Sequence, residues 1–82
     1  MAHAKVGDKV MILTNTPEGH PVTGTVKIIQ EEAGKVVGVE LDEYTVYGHS
    51  LDGLVDEREQ GGDLPVIGKG WWTNHDNVQI QE

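Results

Sequence analysis

Cysteine and phenylalanine are both absent from this chain of 82 residues, and basic residues are scarce: six Lys and Arg stand against 14 Asp and Glu. Without cysteine there is no disulfide, no thiolate metal site and no thiol nucleophile. A secreted domain this small more often carries disulfides, so a cytoplasmic home is expected. No apolar run approaches the roughly 20 residues of a membrane span, and the N-terminus lacks the apolar stretch of a signal peptide. Nucleic acid is not expected as a partner, because holding phosphates takes clustered Lys and Arg. Anionic membranes are disfavoured for the same reason.

What the chain does have is Val, Ile and Leu, two Trp, two Tyr and 11 Gly, with 37% hydrophobic residues in all. That suits one domain over residues 1–82 with a modest core. The net charge of −8 is unevenly spread. Between Glu40 and Asp63 lie eight acids and one base, Arg58, so this segment holds nearly the whole excess. Three readings stay open: the acids engage a basic protein surface, they bind a divalent cation, or they keep a small Val-rich domain in solution.

The glycines and the want of any sustained 3.6-residue period argue for short strands joined by turns. Val6-Gly-Asp-Lys-Val10 feeds a first strand, Lys9 to Thr14, and Pro17-Glu-Gly-His-Pro21 forms a loop. From Val22 to Ile29 the residues alternate, with Val22, Gly24, Val26 and Ile28 on one face. Gly34 stands where a hairpin turn needs a positive φ. Beyond it Val37, Val39 and Leu41 point inward. A long acidic loop follows, about 42–67, in which Leu51, Leu54 and Tyr47 are expected to tuck back while 56–63 stays exposed and mobile. An edge strand resumes over Leu64 to Ile67. Gly70-Trp-Trp-Thr73 is the next strand, 74–77 a single helical turn, and Val78 to Ile80 a closing strand.

Five short strands with a helical turn before the last resemble the SH3-like small barrel, so the expected fold is all-β and five-stranded. The N-terminal half is similar to CAP-Gly domains in Val6-Gly-Asp-Lys-Val10, Gly24-Thr-Val26 and Gly38-Val-Glu-Leu-Asp-Glu43. Gly48-His-Ser-Leu-Asp-Gly53 then occupies the place of that family's Gly-Lys-Asn-Asp-Gly loop, which grips acidic tails. Here His49 replaces the lysine, Ser50-Leu51 replaces the asparagine with one extra residue, and the aromatic-cysteine strand beyond is missing. Amid so many acids, an acidic tail is not the expected ligand. Gly48-His-x-Leu-Asp-Gly53 with Gly68-x-Gly-Trp-Trp72 also looks like small bacteriophage-encoded proteins, a likeness that implies no particular activity.

The candidate partner-binding residues are Tyr47, His49, Asp52, Asp56, Glu57, Glu59, Asp63, Trp71 and Trp72. His49, Ser50 and Asp52 either contact a partner or order their own loop, with Leu51 as a plug. Trp71 and Trp72, adjacent on a strand, face opposite ways, so one belongs to the core and the other covers the loop or meets a partner. His49, Asp52, His75 and Asp76 could converge on a metal, but they lack ligand spacing. The run Asp56-Glu57-Arg58-Glu59 lacks a calcium loop's oxygen pattern. No nucleophile elbow, desolvated carboxylate pair or phosphate-cradling loop is evident, so neither catalysis nor a cofactor is expected. The expected function is a non-enzymatic protein-binding module, in the setting of a phage a modulator of a host protein, for a partner with a basic patch. The alternatives are an accessory subunit joined through a strand edge and, less favoured, a metal-binding domain.

Overall fold

The computed structural model describes residues 4–30 and 36–81. Six antiparallel strands form one sheet: β1 (Lys9–Ile12), β2 (Val22–Gln30), β3 (Val36–Val46), β4 (Glu57–Arg58), β5 (Ile67–Asn74) and β6 (Val78–Ile80), in the order β4-β5-β3-β2-β1-β6. A 3₁₀ turn, His75–Asn77, precedes β6, in line with the helical turn expected over 74–77. The expectation of five strands closed into a barrel is corrected in two ways. A sixth strand, β4, lies inside the long acidic segment, and the sheet is not closed, because β4 and β6 stand at its two ends. The turn expected at Gly34 lies outside the described residues.

The central pair β2–β3 follows from alternation. Val37, Val39 and Leu41 are buried, and Val26 lies opposite Val39. They build the core with Ala4, Val10 and Ile12, flanked by Val22, Ile29, Trp71, Val78 and Ile80. Here the register corrects a detail of the alternation. Val26 pairs with Val39 but Ile28 pairs with Gly38, so Lys27 is an extra residue, a β-bulge. The bulge swaps faces, and Ile29 rather than Ile28 joins the core. Ile28 instead faces Gly38, where an added Cβ would stand 2.6 Å from Ile28 Cγ2 and 2.8 Å from Trp72 Cζ3. The missing side chain at Gly38 lets a second apolar cluster sit on the far side of the sheet.

β1 is shorter than expected, ending at Ile12, and β3 is longer, running to Val46. The Asp42 carboxylate joins three strands: it accepts from Lys9 Nζ of β1 (3.0 Å) and from Thr23 Oγ1 of β2 (2.6 Å). The Thr23 hydrogen bond first, and then Lys9, hold the Asp42 carboxyl below its ordinary value. A depressed carboxylate stabilises the fold above its unfolded value, and that contribution is lost as the pH falls through the folded one. Asp42→Asn is therefore expected to cost about 1 kcal/mol at pH 7, a modest figure because the pair is half-exposed and screened. Urea unfolding at pH 7 and near pH 3 checks this: the gap between wild type and variant should close at the acid end.

Candidate functional site

The acidic segment is a built loop rather than a loose one. After β3 the chain turns at Tyr47, whose φ is 67°, and Gly48 then passes directly against the backbone of Gly68 in β5. An added Cβ at Gly48 would lie 2.6 Å from the Gly68 carbonyl carbon, so glycine is what permits this crossing. His49 pairs with Gly70 through both backbone groups, donating at 3.0 Å and accepting at 2.6 Å. Leu51 and Asp52 take left-handed φ values of 51° and 59°, and Gly53 follows at 98°. Gly53 N–H donates to the carbonyl and to the hydroxyl of Ser50, both at 3.0 Å, and Val55 N–H donates to the same carbonyl.

This tight turn drives Leu51, 1% exposed, onto the sheet over Gly38 and Gly70. The expected plug is thus in place. Leu54 and Tyr47, expected to tuck back as well, do not: they are 54% and 71% exposed, and Val55 is buried instead. The reason is the run of left-handed residues, which breaks any simple alternation between Leu51 and Val55. Leu64, expected on an edge strand, is 63% exposed; β5 begins only at Ile67 and is flanked there by β3 and β4.

Of the candidate residues, His49, Trp71 and Trp72 come together. The His49 ring lies nearly parallel to both indoles, with centroids 6.3 Å from Trp71 and 6.2 Å from Trp72. Leu51 N–H donates to His49 Nδ1 (3.3 Å), so the imidazole orders its own loop. Trp71 takes the core side, and its indole N–H donates to the Asn15 carbonyl (3.1 Å). Trp72 packs on the Gly38 side, and both rings are half-buried.

The acids Asp52, Asp56, Glu57, Glu59 and Asp63 are exposed, alongside Tyr47. Asp56 and Glu57 are fastened at one end: Lys69 N–H donates to the Asp56 carbonyl (3.1 Å), and Glu57 pairs with Gly68. Among the described residues no three His, Asp or Glu side chains gather as a metal would require, and His49 with Asp52 does not join His75 and Asp76. No helix among the described residues is long and apolar enough to cross a membrane.

Sequence reasoning missed Tyr44. Its ring carries Arg58 at 4.8 Å and Lys69 at 5.1 Å, and its hydroxyl donates to Asp56 (3.2 Å). Cation–π contact and this hydrogen bond together pin β4 to β3 and β5. The signal available in the sequence was an aromatic directly after three acids in four residues, Glu40 to Glu43, with two of the chain's few cations left to find partners. Compared with known protein families, with curated proteins and with solved structures, the chain matches none.

Proposed function

We propose that this domain is a non-enzymatic protein-binding module whose 43–63 segment engages a basic patch on its partner. The observation that carries this reading is the exposure of large apolar side chains among acids on an anchored loop. Tyr47, Leu54 and Leu64 stand out in solvent beside Asp52, Asp56, Glu57, Glu59 and Asp63, while Leu51 and the Gly48–Gly68 crossing hold the loop's base. Burial of the apolar groups supplies affinity, and the acids steer the encounter. An anchored base reduces the ordering cost on binding. His49, stacked near Trp71 and Trp72, completes with them the proposed partner-binding set. The meander β1-β2-β3-β5, the 3₁₀ turn and the return of β6 to β1 support reading the fold as an opened SH3-like barrel. Gly24, buried against Glu40 and Val39 of β3, supports the CAP-Gly-like reading of the N-terminal half. In a phage setting, the partner would be a host enzyme or regulator in the cytoplasm.

The test is capture from a host lysate, followed by stopped-flow binding to the captured protein. A variant with Asp56→Asn, Glu57→Gln, Glu59→Gln and Asp63→Asn should lose the partner. The wild-type association rate should fall about tenfold or more between low and physiological salt. A partner retained by the variant, with a rate indifferent to salt, would sink the proposal.

A second reading, an accessory subunit joined through a strand edge, is favoured by the open sheet, since β6 pairs with β1 alone among the described strands. It predicts self-association or strand addition that ignores loop charge, visible by sedimentation.

A further inference from the structure

A groove of about 540 Å³ opens between the 18–23 segment and the end of β3, apart from the loop acids Asp52, Asp56, Glu57, Glu59 and Asp63. Its origin is a slip in strand register. Glu40 pairs with Gly70 and Thr45 with Gly68, so four β3 residues stand against Lys69 alone. Thr45, buried, donates its hydroxyl to Glu18, which holds the facing loop in place. Pro21, Leu41 and Tyr44 form the apolar walls, and Glu18, Asp42 and Glu43 supply the carboxylates.

We infer that this groove receives a lysine or arginine side chain projecting from the protein partner. The inference rests on the binding-module reading and names a second point of attachment for it. Charge complementarity selects the occupant. No Lys or Arg lines the groove, and the ion pair from Lys9 to Asp42 is the only one among the described residues that reaches any of its carboxylates. Arg58 and Lys69 sit on the Tyr44 ring, and Lys69 acts on Asp42 through its charge without pairing with it. The acids are too dispersed to gather round one metal ion. Apolar walls ending in carboxylates match a side chain with an aliphatic stem and a cationic head. Tyr44 belongs both to the groove wall and, through Asp56, to the anchored base of the acidic loop, so one basic segment can span the two.

The probe is the peptide acetyl-(Ala-Arg)₄-amide, titrated into the ¹⁵N-labelled full chain, with the citrulline counterpart as the uncharged control. Saturable amide shifts should appear at 18–23 and 41–45 with the arginine peptide and be absent with citrulline. Glu18→Gln combined with Glu43→Gln should weaken binding about fivefold; glutamine keeps an acceptor for Thr45, and an unchanged spectrum elsewhere shows that the fold is intact. Shifts confined to 52–63, equal shifts from both peptides, or affinity untouched by the double variant would overturn the inference. Comparing variants separates the two claims. If the four-acid loop variant loses the captured partner while Glu18→Gln/Glu43→Gln keeps it at full affinity, the module stands and the groove assignment falls. If the peptide shifts the groove but the loop variant still holds its partner, the groove stands and the acidic-loop reading falls.

Discussion

Gly48→Ala is expected to destabilise the domain by about 3 kcal/mol, a drop in melting temperature of about 15 °C for a chain of this size. The added methyl would run into the Gly68 carbonyl, 2.6 Å from its carbon, and would stand 3.0 Å from the Thr45 carbonyl oxygen. These neighbours are backbone, so no rotamer change relieves the clash. Moving Gly68 would disturb its pairing with both Thr45 and Glu57, and a Cβ added at Gly68 would itself stand 2.8 Å from the His49 amide nitrogen. The comparison that isolates crowding is Gly61→Ala. Gly61 has a left-handed φ, 82°, but nothing lies within 4 Å of its added Cβ. Strain alone should cost it about 1 kcal/mol. Calorimetry of the two variants decides: equal melting temperatures would mean that the Gly48–Gly68 crossing is not what anchors the loop.

The parts of the fold that rest on period-two burial were legible from the residues. Val37, Val39 and Leu41 alternate with Gly38 and Glu40, and the core follows them. The same logic mistook Ile28 for Ile29, because the bulge at Lys27 arises from pairing with β3 and leaves no mark in β2's own pattern. In the loop, composition identified Leu51 as a plug and the acids as exposed. It misassigned Leu54, because consecutive left-handed residues at Leu51 and Asp52 redirect the chain in a way no periodicity records. The open sheet and the presence of β4 were hidden too: two residues, Glu57 and Arg58, have no propensity signal, and the contact of Arg58 with the Tyr44 ring joins residues 14 positions apart. The groove was wholly hidden. It needs Glu18 beside Thr45, 27 residues apart, and a slip between β3 and β5.

Leu51→Ala should separate the two roles given to the 43–63 segment. Leu51 is 1% exposed, and its side chain reaches over Gly38 and Gly70 at 3.3 Å and 2.9 Å from where their Cβ atoms would be. Truncation leaves a hole that glycines cannot fill, since they have no side chains to move in, so the loss should be about 3 kcal/mol. For a domain of marginal stability that is a large share of the total. Leu54, three residues on, is 54% exposed, and Leu54→Ala should shift stability by less than about 0.5 kcal/mol. Binding should show the opposite ranking once folding is held constant. At a temperature where both variants are folded, Leu54→Ala should weaken the captured partner about tenfold through a faster off-rate, as expected when an apolar anchor is removed from an interface. Leu51→Ala should act mainly through loop order, with a slower association rate and a smaller change in off-rate. Urea unfolding paired with surface plasmon resonance reads both quantities. If Leu54→Ala binds like wild type, the exposed leucine is ordinary surface and the acids alone would have to carry the interaction.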